Sequence, residues 1–347
     1  MKDKGVLVTR FHIYHCAMFG VALSACGVVD TPTSSTEQAG TQMQGTEMQG
    51  TEMQGMAMQG IRIAGATLDG TPLTHVRVER GEVVAQQGST TLRGKQLARA
   101  RFLADMRNIK VTPPRSAVVQ YRVAAIDDEL PRYDPDTGNT YLYTLEQWVD
   151  DTSSWQPACP ADGDGRRVAI PLAATWDEHG DRIASSARFT FACTTGVIAK
   201  CYRWGYRPWV TGYGDLTAMH WTCTRLARAD YCGIGQPRTR YGTEINVWDK
   251  LPFPGPIQGH GGVLPPPGML FEAGWNTGGA VCLSHARWIQ DDGAALAALC
   301  PSRLVPPGLG ETVCNTLPQA LGYDANAQMF NEAYLNVDAI LGLGLGL

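Results

Sequence analysis

The residues of this chain best suited to chemistry are its ten cysteines. Cys16 and Cys26 stand near the N-terminus. The other eight are Cys159, Cys193, Cys201, Cys223, Cys232, Cys282, Cys300 and Cys314. An even set of thiols reads as disulfides in an oxidising compartment, and as reactive or metal-binding thiols elsewhere. Cys223 has His220 one turn before it on a predicted helix, which could supply a thiolate nucleophile with its base. That chemistry needs Cys223 unpaired, and the even count argues for pairing it. Connectivity stays open at this level. A working pairing is Cys159–Cys193 and Cys300–Cys314, with Cys201–Cys232 and Cys223–Cys282 as one option for the remaining four.

Three other groups of residues could carry function. Asp230 and Tyr231 follow the same predicted helix. A carboxylate there opposes the helix dipole, so Arg225, Arg228 or Arg238 should compensate it. The run Tyr202-Arg203-Trp204-Gly205-Tyr206-Arg207-Pro208-Trp209, with Tyr213, interleaves rings and cations. Such a run can bind sugars or aromatic ligands, and it can equally form core. Asp134-x-Asp136-x-Gly138 and Asp162-x-Asp164-Gly165 resemble pieces of calcium loops without the closing glutamate, and plain turns use the same residues. His220, Asp230, Tyr231, Trp204 and Trp209 are therefore the candidate surface or site residues. G-x-S-x-G, H-E-x-x-H and P-loop motifs are absent from the sequence, and none of the histidines after residue 26, His75, His179, His220, His260 and His285, has ligand spacing to another. No catalytic residue, metal or cofactor is predicted.

The compartment follows from the N-terminus. Lys2, Lys4 and Arg10 precede an apolar stretch from Ile13 to Ala25, which closes on Leu23-Ser24-Ala25-Cys26-Gly27. The pattern is that of an export signal covering residues 1–25, and the stretch is too short to span a bilayer. The four residues ending in Cys26 resemble the lipobox of bacterial lipoproteins. That resemblance implies a diacylglycerol on the Cys26 thiol, a membrane anchor, and by Gram-negative sorting rules an outer-membrane or cell-surface location. Formal net charge is −4, and no basic cluster points to nucleic acid.

The elements that must position these residues begin with a tether. Residues 26–60 pass from a Thr/Ser/Pro stretch into five-residue repeats, TQMQG, TEMQG, TEMQG and MAMQG. The repeat period continues through Ile63, Leu68, Leu73 and Val78, and a weaker echo centres on Leu92, Leu97 and Phe102. The pattern resembles a pentapeptide β-solenoid, but methionine specifies a core poorly, which favours a flexible stalk with β-structure taking over near Ile61. Residues 61–110 are thus a β-rich repeat-like segment. Strands are predicted at 118–123, 140–145, 188–193, 243–248 and 279–283, and a helix over 215–232. Residues 252–268 read as a Pro-rich loop. Phe330, Tyr334, Val337 and Leu341 fall at helical spacing, so 318–347 is expected to be a helix with a Gly/Leu tail.

Residues 189–233 are the most specific stretch, with Phe189-Thr-Phe-Ala-Cys193, Ala199-Lys-Cys201, Gly205-Tyr-Arg-Pro-Trp209 and Cys223-Thr-Arg-Leu-Ala-Arg-Ala-Asp-Tyr-Cys-Gly233. Phe271-Glu-Ala-Gly-Trp275 and Gly279-Ala-Val-Cys282 follow. Together they resemble the ADYC-domain family of bacterial exported proteins, named for Ala229–Cys232. The resemblance implies an ADYC-type disulfide-rich domain over 111–317, and it implies no particular activity. The fold class expected is α+β: a β-rich, disulfide-stapled globular domain behind a lipoprotein signal and a short repeat stalk. The function expected is a non-enzymatic envelope module that binds a protein or glycan partner. The alternative is an exported hydrolase or oxidoreductase with an unrecognised active site.

Overall fold

The computed structural model describes residues 43–44, 60–105, 118–129, 140–209, 215–239, 243–251, 267–288, 294–300, 303–304 and 313–335. Cys26, the export signal, Asp134, Asp136, Tyr213, residues 336–347 and nearly all of the 26–60 repeat segment lie outside them. In chain order the strands begin with β1 (Met43–Gln44), β2 (Arg62–Leu68), β3 (Thr71–Pro72), β4 (Thr74–Glu79), β5 (Glu82–Gln87) and β6 (Thr90–Arg93). They continue with β7 (Arg101–Asp105), β8 (Val118–Glu129), β9 (Thr140–Val149), β10 (Ser154–Pro157), β11 (Val168–Leu172), β12 (Ala174–Trp176), β13 (Arg182–Ala184) and β14 (Thr190–Cys193). Helices α1 (Val197–Arg203) and α2 (Thr217–Arg228) follow, then β15 (Glu244–Asp249), β16 (Leu270–Asn276), β17 (Gly279–Leu283), α3 (Ala294–Leu299), α4 (Leu317–Tyr323) and β18 (Met329–Ala333).

Chain reversals dominate the N-terminal half. Asp69-Gly70 and Arg80-Gly81 both hold positive φ at the tips of two-residue turns, the backbone that tight hairpins need. The apolar repeat positions Ile63, Leu68 and Val78 therefore lie on antiparallel strands, β2 pairing with β3 and β7, and β4 with β5. The solenoid reading of 61–80 is corrected on this point: a β-solenoid stacks parallel coils, and these turns reverse the chain.

The packing is layered. An eight-stranded antiparallel sheet has the order β14-β11-β9-β8-β7-β2-β3, with β10 on β9. One face buries Phe102, Tyr121, Val123, Tyr143, Leu145 and Phe191 against Val83 and Ala85 of the small β4-β5-β6 sheet. At its β9-β11-β14 end the opposite face presents Leu142, Val168, Ile170 and Ala192 to α1 and α2. Those helices pack in turn on the five-stranded sheet β1-β15-β18-β16-β17, through Ile245, Val247, Ala273, Trp275 and Met329. The far face of that sheet holds Phe271, Val281 and Phe330 under α4 and Ala320. Strands covered on both faces lose the apolar–polar alternation, and β11, β14, β17 and β18 are buried at every position.

The C-terminal expectation is also corrected. Phe330 lies on a strand, not a helix: β18 runs between β15 and β16, and the helix sits earlier, at α4. The backbone groups of a central strand are taken by its two neighbours. Asn331 and Glu332 break the apolar period inside β18.

Candidate functional site

The Ala229–Cys232 tetrapeptide lies where α2 ends, and each of its residues ties down a different element. α2 is amphipathic and stops at Arg228. Ala229 adopts the left-handed conformation at φ 51° and returns its N–H to the carbonyls of Arg225 and Leu226, a left-handed helix cap. Asp230, fully buried, then turns back on its own loop. Its carboxylate accepts the N–H of Ile234 at 3.1 Å and of Gly235 at 2.9 Å, and pairs with Arg225 Nη1 at 2.6 Å. Arg225 donates further to the carbonyls of Thr277 and His179 and to Asp181. The expected compensation of Asp230 falls to Arg225, and the carboxylate orders a turn instead of facing a ligand.

Tyr231 belongs to a second buried network. Its hydroxyl donates to Glu272 at 3.0 Å and accepts the backbone N–H of Arg287 at 3.0 Å. Its ring stacks on Trp275 with centroids 5.3 Å apart. Glu272 also accepts from Arg287 Nε at 2.8 Å and from Asn331 Nδ2 at 2.6 Å, and Trp275 Nε1 donates to Asn331 Oδ1 at 2.7 Å. Arg287 reaches on to the carbonyls of Leu226 at 2.6 Å and Ala227 at 3.4 Å. These are among the last carbonyls of α2, the negative end of the helix dipole, which attracts cations. Tyr231, Glu272 and Asn331 have no exposed surface and Arg287 has 1 %. Burial holds the Tyr231 phenol well above its ordinary range, and the Glu272 charge adds to that. Losing one partner of such a buried pair costs about 3–5 kcal/mol.

Cys232 closes the tetrapeptide by bonding to Cys300. The remaining bonds are Cys159–Cys193, Cys201–Cys223 and Cys282–Cys314. The pairing Cys159–Cys193 stands, whereas Cys300–Cys314 and the option Cys201–Cys232 with Cys223–Cys282 are corrected. Helices α1 and α2 lie side by side, which brings Cys201 onto Cys223. The long reach of Cys300 to the end of α2 comes from tertiary packing that the linear order of cysteines does not encode.

The thiolate reading of His220 and Cys223 is corrected by the same geometry, because the Cys223 sulfur is bonded to Cys201. His220 is fully buried against the Trp176 ring, and its Nε2 meets the Ile198 carbonyl at 3.0 Å. Burial lowers its pKa to about 4, so the ring is neutral at physiological pH.

The aromatic run divides between core and surface. Tyr202 and Tyr206 are fully buried, while Trp204 and Trp209 are half-buried at the edge of the helical core. The Tyr206 hydroxyl donates to Asp249 at 2.8 Å. Arg207 lies over the Tyr202 ring at 5.0 Å and donates to Thr140 at 2.7 Å. The β4–β5 turn seats on this group: a Cβ at Gly81 would come within 2.3 Å of the Tyr202 hydroxyl and 2.9 Å of Trp209. Asp162 uses its carboxylate for turn chemistry, accepting the N–H of Asp164 at 3.1 Å and Arg166 at 2.8 Å and the Thr194 hydroxyl at 2.9 Å.

Sequence reasoning missed the partners that make the network. Glu272 is a lone charge inside a strand of buried residues, which was the available signal, whereas Arg287 lies beyond β17 and its local sequence carried none. Residues 94–289, more than half of the chain, match the family described as ADYC domain. Neither a curated protein nor a solved structure matches the chain.

Proposed function

The chain belongs to the ADYC-domain family, and from that premise we propose that it is a non-enzymatic envelope module, anchored through lipid on Cys26, whose disulfide-braced domain binds an envelope protein or glycan. The observation that carries this reading is the state of the signature residues. Asp230, Tyr231, Glu272 and Arg287 spend their hydrogen-bonding capacity on one another and on backbone, with at most 1 % of their surface exposed. Groups so placed brace a scaffold, whereas a general acid or base must reach the proton it moves. Four disulfides accord with an oxidising, exported setting. The lipid would hold the domain at an outer-membrane or cell-surface bilayer, with the chain after Cys26 as spacer.

The test uses the full oxidised chain in mild detergent. It should be retained on isolated envelope glycans or co-purify with an envelope protein, and expression with labelled palmitate should label the wild type but not Cys26→Ser. Absence of retention on every envelope fraction, or label persisting in Cys26→Ser, would refute the reading.

A further inference from the structure

The eight-stranded sheet has a face whose composition its own stability does not account for. The helices cover that face only at the β9-β11-β14 end. At the other end a row of side chains crosses the strands in register: Thr67 on β2 opposite Arg101 on β7, Arg101 opposite Arg122 on β8, and Arg122 opposite Glu146 on β9. Two like charges directly opposite on antiparallel strands destabilise the pair. Arg122 is paired with Glu146. Arg99, at the rim, is paired with Asp69 at 2.7 Å. None of the ion pairs among the described residues involves Arg101.

Arg101 and Arg122 instead share one ring. Both guanidinium carbons lie over Trp155 of β10, at 5.8 and 4.7 Å from its centroid. Trp155 is fixed edge-to-face on Trp148, its cross-strand partner, at 5.5 Å. A guanidinium laid on an aromatic plane keeps its N–H edge free and has already given up much of its rotamer freedom. Beside it Thr67, Asp69, Arg99, Arg101 and Arg122 line an open groove of about 630 Å³. That volume lies in the range of small-ligand sites. Three guanidiniums line it; Asp69 pairs with Arg99, and Glu146, behind the lining, pairs with Arg122, which leaves one cation in excess, at Arg101.

We propose that this groove binds the oxyanion group of an acidic saccharide, with Arg101 and Arg122 as the fork that receives it and Trp155 as the brace that holds the fork. The proposal rests on the reading of the domain as an envelope-binding module and names the ligand class. A carboxylate or a phosphate on the sugar supplies the same two-oxygen edge, and guanidinium recognises both bidentately. The bound anion would remove the repulsion between Arg101 and Arg122, so the site is most stable when filled.

Titration calorimetry of the full oxidised chain in detergent tests this, using digalacturonic acid, glucose 6-phosphate, a neutral galactose disaccharide and an oligoglutamate peptide. At least one acidic sugar should bind, the neutral disaccharide should not, and added salt should weaken binding. Preference between the two acidic sugars identifies carboxylate or phosphate as the group recognised. Arg101→Gln should weaken binding about tenfold or more, the loss of one charge-assisted hydrogen-bonded contact. Its melting temperature should stay the same or rise, because the opposed cations are gone, and a merely structural arginine would not behave so. Trp155→Leu should weaken binding through loss of the brace. Failure of both acidic sugars to bind, binding that Arg101→Gln leaves unchanged, or binding of the peptide alone would overturn the proposal. Retention of Arg101→Gln on envelope fractions separates the two readings. Retention equal to wild type would leave the module reading intact and discard the groove. Acidic-sugar binding without retention of the wild type would do the reverse.

Discussion

At the scale of single residues, burial decides what each candidate side chain can do. His220 is the clearest case. A histidine three residues before a cysteine on one helix face suggests a nucleophile and its base, yet the structure makes the histidine a core residue and pairs the sulfur. The consequence is a pH dependence of stability. The ring pKa falls from 6.5 in the unfolded chain to about 4 in the fold, chiefly by burial, with the positive charge of Arg182 acting in the same direction and the Ile198 carbonyl opposing. A base whose folded pKa is depressed binds its proton more readily when unfolded. Its contribution is therefore complete above pH 6.5 and is lost as pH falls towards 4. The loss is on the order of 3 kcal/mol. Denaturant unfolding from pH 7 down to pH 4 should show wild type losing that much more stability than His220→Gln, whose amide can still donate to Ile198. Parallel pH profiles for the two proteins would show that the histidine is not buried neutral.

At the scale of elements, local chemistry was legible and long-range pairing was not. The helix over α2 and the strands β8, β9, β14, β15 and β17 follow from periodicity and turn residues within a few positions of each other, whereas the Asp69-Gly70 reversal was hidden inside the five-residue period. β18 did not, because Asn331 and Glu332 look like surface residues until Trp275, Glu272 and Asn246 arrive from other strands to satisfy them. The groove escaped for the same reason: Arg101, Arg122 and Trp155 become one site only through the β7-β8-β9-β10 register. The cap after α2 offers a test of how tightly such elements interlock. Gly233 and Gly70 both have positive φ, at 68° and 84°, but a Cβ on Gly233 would lie 1.9 Å from the Gly278 carbonyl oxygen, whereas one on Gly70 would meet nothing within 4 Å. Gly70→Ala should cost about 1–2 kcal/mol, the penalty of a left-handed alanine. Gly233→Ala adds a backbone collision at the β16–β17 turn and should cost more than about 4 kcal/mol, a size reserved for a few severe mechanisms. Urea midpoints of the two variants compare them directly, and equal losses would mean that the tetrapeptide loop is not packed on that turn.

At the scale of the whole molecule, the disulfides and the buried networks brace the same region. One bond, Cys159–Cys193, lies in the layer built on the eight-stranded sheet, and the other three join the helices and the five-stranded sheet to the segments around them. Cys232–Cys300 spans 68 residues, Cys282–Cys314 spans 32 and Cys201–Cys223 spans 22. Loop-closure entropy grows with the logarithm of the loop, so removing Cys232–Cys300 as a pair of alanines should cost about 4 kcal/mol against about 3 kcal/mol for Cys201–Cys223. The first loss should also loosen the end of α2, since Cys232 follows directly on Tyr231 and its hydrogen bond to Glu272. Peptide mapping without reduction should return these four pairings, and chemical unfolding should rank the double-alanine variants in the order of their loops. A Cys300–Cys314 peptide in that map would detach Cys232 from α3 and remove the covalent tie that holds the Ala229–Cys232 turn against the rest of the fold.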